Sequence, residues 1–364
     1  MRSERTRAAT PCLGPYPVGV TAANTATGST SLQDPSLPPS ASPPSLPPPA
    51  PRTNSLLIAA ADIKLSHSIF ALPFAVLGAF LSASAPTLAP IPNPSPQFPA
   101  YVPIDWSRFG GQLALVIACM VLARTWAMLV NRLADATFDA ANPRTRGRAV
   151  ASGKLSRPVA ISMALGCAAG FIVLCAGFLA FFQNPWPLAL SVPVLFWLAL
   201  YSYAKRFTAL CHVLLGSALA ISPLAAAIAI NPESLSNTPS LLALSAMVLC
   251  WVAGFDIIYA LQDESFDRNA GLFSIPAALG ARRAVILSRV LHVGAIISLL
   301  MAWRLEDRFG VIFLCAVIAA SICLIAEHIV LIRRGLAGLP MAFFTLNGVV
   351  SCVVGGAGVV DVLL

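Results

Sequence analysis

From Ile63 to the C-terminus the chain consists of nine apolar runs, at about 63–84, 110–131, 159–182, 186–203, 208–230, 240–261, 284–303, 309–332 and 338–363, separated by short polar loops. Most are close to the roughly twenty residues that carry a helix across the hydrocarbon core of a bilayer. Lipid offers no partner to backbone N–H and C=O groups, so a spanning segment must be a helix or part of a closed barrel. A barrel would alternate apolar and polar residues instead of running apolar continuously. The runs predict an all-α transmembrane protein whose solvent is the lipid bilayer. With only 10% of its residues charged, the chain is not a water-soluble domain.

Residues 1–54 belong to another compositional class. Arg2, Arg5 and Arg7 are followed by Thr, Ser and Ala, then by prolines clustered from Pro43 to Pro51. Such a segment cannot bury a core, so residues 1–54 are expected to be a disordered tail and residues 55–364 a membrane domain. An Arg- and Ser-rich, acid-poor terminus also fits an organelle transit sequence, but no apolar stretch of a secretory signal occurs in it.

The net charge of +8 is distributed over alternate loops. Arg132, Arg144, Arg146, Arg148, Lys154 and Arg157 follow the second run, and Lys205 and Arg206 the fourth. Arg268, Arg282 and Arg283 follow the sixth, Arg333 and Arg334 the eighth, and the intervening loops are poor in net charge. Positive loops face the cytoplasm, which places the N-terminus inside, the C-terminus outside, and the chain in a cytoplasmic membrane such as the bacterial inner membrane. Charge scattered in this way forms no electrostatic groove, so nucleic acid is excluded as a partner. The nine cysteines lie singly without CxxC spacing and read as small apolar packing residues, not as a disulfide framework, and the four histidines lack the spacing of a transition-metal site.

Carboxylates at a membrane edge are costly unless paired, hydrated or metal-bound. Two spaced sets occur here, each at the end of a run on the positive side. Asn131, Asp135 and Asp139 are spaced by four and drift by only about 80° around a helix. Asp256, Asp263 and Asp267 fall within about 60° of one another, with Tyr259 beside them. Two facing acidic clusters make an oxygen-ligand site for a hard cation, and Mg²⁺ held by a few carboxylates takes water and phosphate as its other ligands. Arg144, Arg148, Lys205 and Arg206 sit nearby and suit diphosphate oxygens.

Arg124 lies inside the second run, seven residues before Asn131, where an unpaired Arg is expensive. Its expected partner is the carboxylate of an acceptor substrate or, equally, a structural acid such as Asp62. Lys64 and His67, near the start of the first run, read as a snorkelling Lys and a core His, with substrate contact as the alternative. Phe70, Phe74, Phe196 and Phe255 are candidates for an apolar channel or for simple packing.

The pattern NxxxDxxxD with NPRTxxR (Asn131, Asp135, Asp139, Asn142, Pro143, Arg144, Thr145, Arg148), ASG (Ala151 to Gly153), YxxxKR (Tyr201, Lys205, Arg206) and DxxYAxxDxxxDxxxG with SxP (Asp256, Tyr259, Ala260, Asp263, Asp267, Gly271, Ser274, Pro276) resembles the UbiA superfamily of membrane prenyltransferases. The resemblance covers about residues 62–363. IKLSHSIFALPFA, YSYAKRFT and YALQDESFDRNAGLFSIP are most similar to the branch that prenylates 4-hydroxybenzoate, some members of which act in menaquinone synthesis by the futalosine route. Two positions depart from the pattern: Arg132 stands where an acid is frequent, and Ala149 where Pro is frequent.

The resemblance implies a nine-helix bundle with a central cavity under a cytoplasmic cap. It implies Mg²⁺-dependent transfer of a prenyl chain from a polyprenyl diphosphate to an aromatic acid, 4-hydroxybenzoate or else 1,4-dihydroxy-6-naphthoate, in quinone synthesis. Asn131, Asp135, Asp139, Asp263 and Asp267 would hold the metal. Arg144, Arg148, Lys205, Arg206, Tyr201 and Arg124 would bind substrate, and Asp135, Asp139, Asp256, Asp263 and Tyr259 would serve the chemistry, with Asp256, Asp263 or Asp135 as the base. A CDP-alcohol phosphotransferase would need all its acids in one DG-x-x-A-R run, which is absent. A secondary transporter would place charges near the membrane midplane, where only Arg124 is deep.

Overall fold

The computed structural model describes residues 55–62, 70–84, 101, 103–339 and 341–364. The tail 1–54, Lys64 and His67 lie outside them. Among the described residues the regular structure is helical, without strands. Eight helices among the described residues are long and apolar enough to cross a membrane. We number the apolar helices α1 (Leu72–Ala83), α2 (Trp106–Ala134), α3 (Arg157–Phe182), α4 (Trp186–Ala204), α5 (Cys211–Ile230), α6 (Ser240–Ala260), α7 (Ala281–Leu305), α8 (Val311–Arg334) and α9 (Asn347–Leu363). Each corresponds to one apolar run; α1 is the shorter one, covering the described part of the first.

Local chemistry sets several boundaries. Asp105 caps α2 by accepting the N–H groups of Ser107 and Arg108 at 3.1 and 3.2 Å. Pro158 and Pro187 occupy the first turns of α3 and α4, where a missing N–H costs nothing. Asp361 of α9 accepts the N–H groups of Gly310 and Phe313, both at 2.8 Å, and so caps α8 through its neighbour.

The centre of the bundle is α6, packed most closely against α5 and α7, with Leu241, Leu244, Met247, Val248 and Trp251 fully buried. Lipid is as apolar as a leucine side chain, so packing rather than hydrophobic exclusion joins helices here, and small residues set the close approaches. A Cβ on Gly78 of α1 would lie 2.4 Å from the carbonyl oxygen of Pro223 in α5, so only glycine permits this crossing. The outward faces are apolar, as lipid requires. Phe196, one of the candidates for a channel, is 67% exposed on that face. Phe74 is instead fully buried against Trp251, with ring centroids 5.7 Å apart.

Candidate active site

Each acidic motif straddles a break in its helix. Helix α2 ends at Asp135 (φ −90°, ψ 4°), and a short helix, Ala136–Ala141, follows. Helix α6 ends at Ala260; a 3₁₀ turn, Leu261–Asp263, leads through Asp263 (φ −105°, ψ 2°) into the helix Glu264–Asn269. Both middle aspartates thus adopt the sparsely allowed bridge conformation that recurs at active sites. The spacing places each set on one helix face at the end of its run. In the first motif the registration survives the break, since the Asp135 N–H donates to Asn131 O at 2.9 Å and the Asp139 N–H to Asp135 O at 2.7 Å.

The two motifs meet at one end of the bundle around a cavity of about 540 Å³. Arg124, Asn131, Asp135, Asp139, Arg144, Arg148, Tyr201, Lys205, Asp256, Tyr259, Asp263 and Asp267 all line it. Arg144 forks onto Asp263, with Nε 2.9 Å from Oδ1 and Nη2 on Oδ2, while Nη1 donates to the Tyr259 hydroxyl at 3.2 Å. Arg148 Nη1 lies 2.7 Å from Asp139 Oδ1, and Lys205 Nζ 3.5 Å from Asp267 Oδ2. Arg206 is placed differently. It does not line the cavity; its Nη2 donates to Ala134 O at 2.7 Å and to Asp135 Oδ1 at 3.3 Å, closing the C-terminus of α2.

Burial pushes the Asp135 carboxyl up, against the downward pull of Arg206. For Lys205 burial works downward, but the Asp267 carboxylate outweighs it and holds the ammonium above its usual value. Arg144 is likewise held above the guanidinium norm, its burial overcome by the bond to Asp263.

Asp62 does not pair with Arg124. Its Oδ2 takes Arg132 Nε at 2.9 Å and its Oδ1 the Ala149 N–H at 2.8 Å. Arg124 has no acidic partner and no hydrogen bond among the described residues, and its side chain borders the cavity.

Beneath this charged chamber lies a second cavity of about 440 Å³, almost wholly apolar, between α2, α3, α4 and α5. The two share Arg124, Met128, Tyr201, Leu215 and Leu219 at their junction. On α4 the lower lining runs from Tyr201 to Pro187, about 21 Å of helix at 1.5 Å per residue. Phe171 and Phe178 belong to it, whereas Phe70 and Phe255 flank the upper chamber.

The sequence profile of the UbiA prenyltransferase family matches residues 98–349. The chain belongs to the UbiA prenyltransferase family. The apo structure of a UbiA homologue from Aeropyrum pernix K1 is similar to this UbiA-family protein with a TM-score of 0.66 and 29% identity, over 82% of this chain and 99% of that one. A UbiA homologue from Archaeoglobus fulgidus, solved with GPP and Mg²⁺, has a TM-score of 0.56 and 17% identity, over 85% of this chain and 100% of that one, a likeness of fold. Two 4-hydroxybenzoate octaprenyltransferases, from Francisella tularensis subsp. novicida (strain U112) and Ectopseudomonas mendocina (strain ymp), are each 28% identical. Their matches cover 62% and 59% of this chain and 75% and 70% of their own lengths. The UbiA-family chain is a multi-pass integral membrane prenyltransferase.

Its donor set fits a magnesium ion of one particular kind. No three His, Cys, Asp or Glu side chains converge as an all-protein cage among the described residues. The carboxylates are hard oxygen donors held apart on separate cations, and buried Asp267 Oδ2 makes no hydrogen bond, only the 3.5 Å ion pair with Lys205. That suits an ion held by one or two carboxylates with water and phosphate completing its shell.

Sequence reasoning missed two participants in this UbiA-family site. Asn142 Nδ2 donates to Asp263 Oδ1 at 3.0 Å and so joins the two motifs directly. Within NPRTxxR nothing in the sequence singles Asn142 out. His212, passed over because no second ligand stood near it in sequence, reaches Asp256 from α5.

Proposed function

We propose that this protein transfers a polyprenyl group from its diphosphate to a hydroxy-aromatic acid, with the motif end of the bundle facing the cytoplasm. The junction of a charged chamber with a long apolar cavity carries this reading, because a prenyl diphosphate has the same two-part chemistry. The diphosphate belongs among Arg144, Arg148 and Lys205, and its hydrocarbon tail between α2, α4 and α5.

Asp139, Asp263 and Asp267 are the residues suited to hold Mg²⁺, with Asn131 and Asp135 beside them. When bound, Mg²⁺ supplies Lewis acidity to the departing diphosphate. Arg144, Arg148 and Lys205 stabilise the negative charge that develops as the prenyl C1–O bond breaks and its electron pair leaves with the diphosphate. The ring carbon ortho to the acceptor hydroxyl then bonds to C1 and loses its proton. Asp256 is the carboxylate best suited to accept it, since Asp135, Asp139, Asp263 and Asp267 each lie against an Arg or Lys. The apolar walls keep water from the electrophilic prenyl carbon.

Arg124 stands at the junction with no protein acid beside it, and an acceptor carboxylate would neutralise it. This favours an aromatic acid over a neutral phenol. 4-Hydroxybenzoate is the first choice of acceptor, in keeping with the named relatives, and 1,4-dihydroxy-6-naphthoate the second.

The deciding experiment offers both acceptors to membranes containing the protein, with Mg²⁺ and a polyprenyl diphosphate, and uses Asp263→Ala as control. Prenylated product from one acceptor, lost in the control, fixes the reaction and its acceptor. No product from either, in membranes that contain the folded chain, removes the hydroxy-aromatic acid assignment.

A further inference from the structure

His212 is fully buried at the start of α5, yet it touches the cavity through one neighbour. Its Nδ1 lies 2.7 Å from Asp256 Oδ2. On the other side of the ring, the backbone N–H of Ile275 points at Nε2, 3.3 Å away. A backbone N–H is only a donor, so the nitrogen facing it presents a lone pair. Nδ1 therefore carries the ring proton that faces Asp256, and the imidazole bridges the Asp256 carboxylate and the Ile275 backbone.

This arrangement separates Asp256 from every other carboxylate of the site. Asp135, Asp139, Asp263 and Asp267 are paired with Arg206, Arg148, Arg144 and Lys205. A carboxylate bound to a permanent cation is a weak proton acceptor. Asp256 instead has an imidazole N–H on Oδ2 in place of an Arg or Lys, no hydrogen bond on Oδ1 among the described residues, and a side chain that is 21% exposed along the cavity.

We propose that His212 is a positioning residue for the transfer reaction: locked by the Ile275 N–H in one tautomer, it fixes the rotamer of Asp256 so that Oδ1 meets the acceptor. The inference rests on the transfer reading above. As the new C–C bond forms, the ring proton of the acceptor passes to Asp256 Oδ1, and the resulting carboxylic acid returns it to water when product leaves. His212 keeps its own proton throughout.

The test compares His212→Leu with His212→Gln in membranes, varying donor and acceptor separately. Glutamine can donate to Asp256 and accept from Ile275, whereas leucine can do neither. Leucine should lower kcat by about 10- to 100-fold, the scale of a misplaced catalytic group, with both KM values within about threefold of wild type. Glutamine should restore kcat to within about threefold of wild type. In the background Asp256→Asn, His212→Leu should cost nothing further, since a residue that acts only through Asp256 has nothing left to position. Wild-type kcat in the leucine variant, a glutamine variant as slow as leucine, or a full additional loss in the Asp256→Asn background would each overturn the assignment. If leucine prevents accumulation in the membrane, His212→Asn, too short to span both partners, replaces it in the same comparison. A wild-type protein that transfers no prenyl group would instead remove the transfer reading itself.

Discussion

Arg132 and Asp62, seventy residues apart in sequence, form a buried ion pair of 2.9 Å beside the charged chamber. The second oxygen of the same carboxylate receives the backbone N–H of Ala149. Both positions at which the chain departs from the pattern of its family therefore serve one acid. The two departures are coupled through Asp62, because a proline at 149 would have no N–H to give.

Removing one partner leaves a charge buried alone. Asp62→Ala should lower stability by about 3–5 kcal/mol, while joint replacement of Asp62 and Arg132 by leucine should recover most of that loss. Ala149→Pro should cost about 1–3 kcal/mol through the unsatisfied carboxylate oxygen. Thermal unfolding in detergent checks all three, and equal melting temperatures for Asp62→Ala and the double variant would refute the coupling.

Chelation of divalent cations should stop prenyl transfer, and added Mg²⁺ should restore it. Asp135→Ala and Asp263→Ala should each abolish transfer even with excess Mg²⁺, while membrane insertion is retained. An active double variant would show that the carboxylates are not the metal and diphosphate site.

Arg124→Leu separates the two substrates. Loss of the guanidinium should raise the acceptor KM by at least about tenfold, as expected for a charged hydrogen-bond pair worth roughly 1.5–3 kcal/mol. The donor KM should stay within about twofold. An unchanged acceptor KM would release Arg124 from that role.

Leu190, on the lining of the lower cavity near Pro187, offers a test of where the tail lies. Leu190→Trp should leave transfer from a ten-carbon donor at the wild-type rate and reduce transfer from long-chain donors by about tenfold or more, because overpacking of a filled cavity costs roughly 1–3 kcal/mol. Equal rates with long donors would place the tail elsewhere.

The acids, Arg144, Arg148 and Lys205 were legible because the chemistry depends on residue type and helical spacing, both local in sequence. Contacts that cross the fold were not. His212 meets Asp256 over a separation of 44 residues, and nothing around it distinguishes it from a packing histidine in an apolar helix. Helix faces were hidden for a different reason: lipid and protein interior are equally apolar, so a phenylalanine toward the bilayer (Phe196) and one toward the cavity (Phe178) have the same sequence signature. The breaks at Asp135 and Asp263 also left no mark, since the residues around them carry no Pro or Gly at the point of fracture.

Asp139, Asp263 and Asp267 are each already paired with a cation of the chamber, Arg148, Arg144 and Lys205. A diphosphate arriving alone would draw Arg144 and Arg148 away and strand the carboxylates; a metal arriving alone would strand the arginines. Each ligand thus relieves the penalty that the other incurs, so their affinities are linked and reciprocal. On the proposed reading, the chamber would bind a diphosphate and a metal more tightly together than either one alone.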